Sequence, residues 1–208
     1  ALFYNGGTGR LPSAMTLQIT GTRGVETITL PSGQTLASLV AAVNNVTQLT
    51  GVKANTFADG VNSSIVFESM DYGSDAFVSV QRLGGPANND PFQLYKFDNN
   101  GPKVANASWN WSSLVTAGTL IKGQRDTGQD VSALVNGNLA SGDGLKISVN
   151  SSSLGMDVVL NEDYATRPSA AIADFNITGG GTIFQLGQDV NALQQSTLGI
   201  QSMAASNL

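Results

Sequence analysis

The chain contains no cysteine and no histidine. Without cysteine there is no disulfide, no thiolate nucleophile and no sulfur metal site. Without histidine, the usual base of a Ser or Cys triad and the commonest transition-metal ligand are both missing. Charge is scarce too: Asp, Glu, Lys and Arg make up 12% of 208 residues, about half the ordinary share. The ten Lys and Arg are scattered and never form a basic run, which argues against nucleic acid as a partner. The longest apolar stretches, such as residues 36–43, are far too short to span a bilayer, so no membrane partner is expected. No signal peptide is visible. The abrupt start at Ala1-Leu2-Phe3-Tyr4 reads as that of an excised fragment.

What is present is a 41% hydrophobic fraction, 24 glycines and a formal net charge of −5. Disordered tails are poor in apolar residues and rich in charge, so this composition describes folded domains. Glycine with many β-branched residues reads as short strands joined by tight turns. An acidic, low-charge, cysteine-free chain suits a protein exported unfolded and refolded outside the cell.

Met15, Leu17 and Ile19 alternate with polar residues. Gly21-Thr22-Arg23-Gly24 then turns the chain into a second extended run through Val25, Ile28 and Leu30, a hairpin pattern. Thr35 is placed to cap a helix whose face is Leu36, Leu39, Val40 and Val43. Asn44 and Asn45 weaken that helix, and Gly51 ends it near Thr50. Strands are expected over 52–57 and 65–68, joined by the Ala58-Asp59-Gly60 turn, and over 77–82. Gly84-Gly85-Pro86 and Asn88-Asn89-Asp90-Pro91 form the clearest break. Beyond it, strands are expected over 92–97, 130–135, 145–149 and 156–160. Pro168 marks a second connection, and 175–178 and 183–186 flank Gly179-Gly180-Gly181. Residues 194–208 stay ambiguous between a strand around Leu198 and Ile200 and a helix from Ser202.

Each candidate for chemistry has a plainer reading. Gly6-Gly7-Thr8-Gly9-Arg10 resembles a phosphate loop but lacks its lysine, and Leu11-Pro12 follows where a helix should begin, so a turn is favoured. Asp98-Asn99-Asn100-Gly101 opens like a calcium loop, yet Pro102-Lys103-Val104 supplies none of the later ligands. Glu162 and Asp163, beside Tyr164, are adjacent residues that would not converge on one substrate, and a solvated turn suits them better. Trp109 and Trp111 would share one face of a strand, either as a sugar platform or, more commonly, as core. Six Asn-x-Ser/Thr sequons begin at Asn45, Asn62, Asn106, Asn110, Asn150 and Asn176, as so Asn- and Ser-rich a chain produces by composition. No nucleophile, base and oxyanion donor assemble, so the chain reads as a non-enzyme with no catalytic, cofactor or metal residues.

Leu17-Gln18-Ile19-Thr20-Gly21, Thr35-Leu36 running into Val40-Ala41-Ala42-Val43-Asn44, Thr50-Gly51-Val52-Lys53-Ala54 and Ile65-Val66-Phe67-Glu68-Ser69 follow in order. With Tyr72-Gly73-Ser74-Asp75-Ala76-Phe77-Val78-Ser79-Val80, they resemble the β-α-β module of bacterial flagellins and hook-associated proteins. A second stretch, 128–160, resembles the β-rich segment that returns flagellin toward the filament. A third, Ile183-Phe184-Gln185-Leu186-Gly187-Gln188 with Leu198-Gly199-Ile200, resembles the segment before the C-terminal flagellin helix. Residues 84–118 match nothing in the family.

The resemblance implies an α+β, predominantly β fold: a β-α-β flagellin-type module with one amphipathic helix, plus a second β-rich domain. The expected domains are a 1–12 linker, the module at 13–84, an outer domain at 85–167 and a return segment at 168–208. The implied function is structural, in the surface-exposed central region of a secreted, extracellular filament subunit, with other flagellin subunits as partners. Contact would run mainly through terminal helices expected before Ala1 and after Leu208, leaving this fragment monomeric. No cofactor is implied. The alternatives are a hook-associated or filament-cap protein, or a carbohydrate-binding adhesin using Trp109 and Trp111.

Overall fold

The computed structural model describes residues 1–7, 9–58, 63–86, 90–98, 111–151, 155–166, 172–174, 182–185 and 195–198. The chain divides into two compact units, Ala1–Asp130 and Val131–Leu208. Strands dominate both, and the helices are short, as the α+β, mainly β expectation had it.

In the first unit, β1 (Leu2–Asn5), β4 (Val52–Ala58), β5 (Ser63–Ser69), β7 (Leu94–Phe97) and β8 (Leu120–Lys122) build a sheet in the order β4-β5-β1-β7-β8. A second sheet, ordered β3-β2-β6-β9, takes β2 (Met15–Gly21), β3 (Gly24–Leu30), β6 (Phe77–Leu83) and β9 (Arg125–Thr127). The expected hairpin forms in the register Met15↔Leu30 to Gly21↔Gly24. Leu2–Asn5, inside the stretch expected to be a linker, form the middle strand of the first sheet, and Leu2 and Tyr4 are buried in the core.

The helix expected from Leu36 arises in two pieces, α1 (Leu36–Asn45) and α2 (Thr47–Thr50), stepped at Val46. Thr35 caps α1 by accepting from Ser38 N at 3.2 Å. Leu36, Leu39 and Val43 are buried in one core with Leu17, Ile19, Val52, Ile65, Phe67 and Val78, while Val40 is partly buried against it. The helix face expected from the spacing is the face that packs on both sheets.

Asn44 has a role beyond weakening its helix. Its amide spans Ala54 of the edge strand β4: Nδ2 donates to the Ala54 carbonyl at 3.0 Å and Oδ1 accepts from Ala54 N at 2.8 Å. Two backbone groups on an open sheet edge are thereby satisfied by a side chain, and the helix blocks that edge to a further strand.

At the helix end, Gly51 takes the left-handed conformation (φ 76°) that glycine adopts without a steric cost. Thr50, fully buried, donates its hydroxyl to the Val46 carbonyl at 3.0 Å and accepts from Val52 N at 3.2 Å. Arg23 N reaches the Thr50 carbonyl at 3.3 Å, and Met70 N reaches that of Gly51 at 2.8 Å. A Cβ at Gly21 would fall on the Thr50 carbonyl oxygen, so only glycine lets the hairpin approach this closely. The Thr-Gly-Val turn thus ties the helix to both sheets.

The other face of the first sheet is covered by α3 (Trp111–Thr116), whose Trp111 and Leu114 bury Phe3 and Leu120. Trp111 was expected on a strand. It begins a helix instead, because its indole is drawn down onto Ser64 and Tyr95.

The second unit contains the hairpin β10 (Leu134–Val135) with β11 (Asn138–Leu139), turned by Asn136 (φ 49°) and Gly137 (φ 83°). It also has the sheet β12 (Ser141–Asp143), β13 (Lys146–Asn150) and β14 (Gly155–Val159), helix α4 (Glu162–Ala165), and the pair β15 (Thr182–Gln185) with β16 (Gln195–Leu198). Val135, Ala140, Ile147 and Val149 form its core. The strand expected over 130–135 shrinks to Leu134–Val135. Asp130 accepts instead from Ser74 N at 2.9 Å, which holds it out of the ladder. The stretch 175–178 and the helix expected from Ser202 lie outside the described residues.

Replacing Leu39 by Asp buries a charge without a partner, at a cost of several kcal/mol, against about 5–15 kcal/mol of total stability for such a domain. Hydrogen exchange on Leu39→Asp should show protection lost across both sheets of the first unit while β12–β14 keep theirs. Unchanged protection over 15–83 would make the helix peripheral.

Candidate functional site

The loop Gly6-Gly7-Thr8-Gly9-Arg10 presents the wrong polarity for a phosphate. The Gly9 carbonyl accepts from Leu36 N, the first amide of α1, at 3.1 Å, so an oxygen of the chain itself occupies that helix N-terminus. Leu11 N and the Arg10 guanidinium bond the Gln34 and Gly33 carbonyls, both at 2.8 Å. Thr8 lies outside the described residues.

Asp98 donates its backbone N–H to the Thr119 carbonyl at 2.9 Å, and Asn99, Asn100 and Gly101 lie outside the described residues. Glu162 and Asp163 form the exposed first turn of α4 rather than a plain turn. Asn161 caps it by accepting from Asp163 N at 2.9 Å, and both carboxylates suit the positive end of the helix. Among the described residues no three acidic side chains gather where they could hold a metal ion.

Trp111 Nε1 donates to the buried Ser64 hydroxyl at 3.0 Å, and the ring meets Tyr95 edge-on. A buried, hydrogen-bonded indole offers no face to a sugar; Trp109 lies outside the described residues. Of the sequons, Asn45 and Asn150 are exposed, and Asn62, Asn106, Asn110 and Asn176 lie outside them.

One polar cluster was not foreseen. Arg82 on β6 donates through Nη1 to Asp90 and through Nη2 to the Ser13 hydroxyl at 2.9 Å. Asp90 also accepts from Phe92 N at 2.9 Å. The ion pair therefore locks the start of β7 onto the second sheet. Beside it lies a cleft of about 290 Å³, lined by Asp90, Gln93, Lys122 and Gln124 among others. Among the lining residues no nucleophile is paired with a base. The only sequence signal for the pair was a lone arginine on a strand followed by an Asp-Pro turn.

The Tyr4 hydroxyl lies near this pair. Burial raises its pKa above the ordinary 10.0, Asp90 raises it further and Arg82 opposes both. A raised folded-state pKa gives stability that is complete below about pH 10 and lost as pH climbs through the folded value. Urea denaturation at pH 8 and pH 11 should show wild type losing more stability than Tyr4→Phe. Equal losses would mean that the hydroxyl is not held in this environment.

Residues 16–70 match the family model described as the flagellin hook IN motif, a span from β2 through β5. That segment is a flagellin-type module. The second and third resembling stretches lie outside the matched span. A comparison with curated protein sequences finds no match. Among solved structures, the chain is similar to the flagellar cap protein FliD of Bdellovibrio bacteriovorus at 11% identity, with 70% of each chain covered and a TM-score of 0.42. It is also similar to the D2-D3 domains of Escherichia coli FliD at 18% identity, covering 71% of this chain and 69% of that one, with a TM-score of 0.42. The D2-D3 domains of Serratia marcescens FliD in space group I422 align at 16% identity over 81% of this chain and 82% of that one, with a TM-score of 0.43.

Proposed function

We propose that the chain is a structural subunit of the bacterial flagellar filament and forms domains that project outward from it. The observation that carries this reading is the flagellin hook IN motif over 16–70, folded as a hairpin, a capped helix and a strand pair on one core. Its work is mechanical and positional: it adds bulk and stiffness and sets what the filament presents to solvent. No catalysis and no cofactor enter this function. Its place is outside the cell on the flagellum, and its partners are other flagellin subunits. The sequence has no sustained heptads, so polymerisation is not assigned to these residues.

A hook-associated or filament-cap protein would carry the same module, and position on the organelle separates the two. Gold-labelled antibodies against the 208-residue chain should decorate intact flagella along their length. Label confined to the distal tip or the hook junction would assign the chain to the cap or junction. Flagella without label would remove it from the organelle.

A further inference from the structure

The outer face of the sheet β3-β2-β6-β9 has an unusual composition. Strand alternation sends Leu17 and Ile19 into the core and Thr16, Gln18 and Thr20 outward. The register sets Thr27 on one side of Gln18 and Gln81 on the other, and Ser79 beside Thr20. The carboxylates of these strands are turned away: Glu26 pairs with Ile19 and Asp126 with Val78, both on the inner face. Among the described residues of these strands, the one charge on the outer face is Arg125, held 3.8 Å above the Phe77 ring. Apolar side chains stand at its margins, Val25 at 53% exposure and Leu83 at 39%.

A chain of net charge −5 repels its own copies wherever carboxylates meet carboxylates. The described outer residues of these four strands include none, and a fixed guanidinium waits for one. Hydroxyl and amide side chains can also exchange water for cross-contact hydrogen bonds at little net cost. We propose that this face is the lateral contact on which a second copy of the chain rests its acidic surface within an assembly.

Three strands about 4.8 Å apart and about 20 Å long, with the shorter β9 beside them, present roughly 300 Å². A stable pair of free proteins buries about 800 Å² per partner. The contact is therefore weak between free molecules, which stay monomeric at micromolar concentration. It acts where copies are already held at a millimolar effective concentration. The assembly rests on the filament reading, but the self-contact can be measured without it.

The test is a concentration series of amide spectra of the full 208-residue chain, from about 0.05 to 2 mM at low salt. Amides of Thr16, Gln18, Thr27 and Gln81 should shift together with a millimolar dissociation constant. Gln81→Glu should weaken the contact by roughly tenfold and Gln81→Lys should tighten it, both effects shrinking as salt is added. A role limited to holding the sheet together would not answer to the sign of the charge. Static shifts, shifts spread over the other sheet, or equal effects of Glu and Lys would overturn the proposal. So would a neutral oligosaccharide that moves these amides while concentration does not, since that would assign the face to a glycan. Flagella without gold label would remove the filament reading and leave this series untouched.

Discussion

The first helix, the hairpin and the strand pair of the first unit meet at the turn Thr50-Gly51-Val52. Within three residues the helix ends, the first sheet begins, and the hairpin of the second sheet presses its Gly21 backbone against the Thr50 carbonyl. The turn is built almost wholly from backbone groups, which cannot be swapped for other chemistry. Its requirements are a left-handed residue at 51, a buried hydroxyl at 50 and no side chain at 21. Asn44, near the end of α1, adds a second clamp on Ala54. Two sheets and a helix are in this way held by a few short hydrogen bonds around a common apolar core, which suits a part whose task is to keep its shape.

Much of this was legible in the sequence because it is local. Alternation in 15–19, the Thr35 cap, the 3.6-residue spacing from Leu36 to Val43 and Gly51 are written in neighbouring residues, and the structure follows them. Less legible was whatever depends on distant pairing. Leu2–Asn5 look like a connection until Ile65 and Leu94 lie on either side of Tyr4. Trp111 looks like a strand residue until Ser64, far along the chain, supplies its hydrogen-bond acceptor. Asn44 looked like a weakness because helix propensity counts only the helix. Its value lies in an edge strand that the helix has to cover. The Arg82–Asp90 pair is close in sequence, yet its trace was no more than an arginine on a strand and an Asp-Pro turn, because the chain between them has to fold back before the two meet.

The candidate chemistry dissolves by the same logic. Gly9 turns its carbonyl to the amide a phosphate would need, and the Trp111 indole is spent inside the molecule. What the first unit leaves to solvent on its second sheet is hydroxyl, amide and one cation, with Val25 and Leu83 at the margins, a surface suited to contact.

The central claim is that the turn after the helix couples both sheets into one cooperative body, and Gly21→Ala tests it most directly. A methyl at that position meets the Thr50 carbonyl and the Val52 side chain, so the hairpin and the turn must separate. Native-state hydrogen exchange at increasing urea should then show slow amides of β2 and of β5 losing the same opening free energy, by about 1–3 kcal/mol. Loss confined to β2, β3 and β6, with β4 and β5 unchanged, would show that the sheets are independent and that the turn joins nothing.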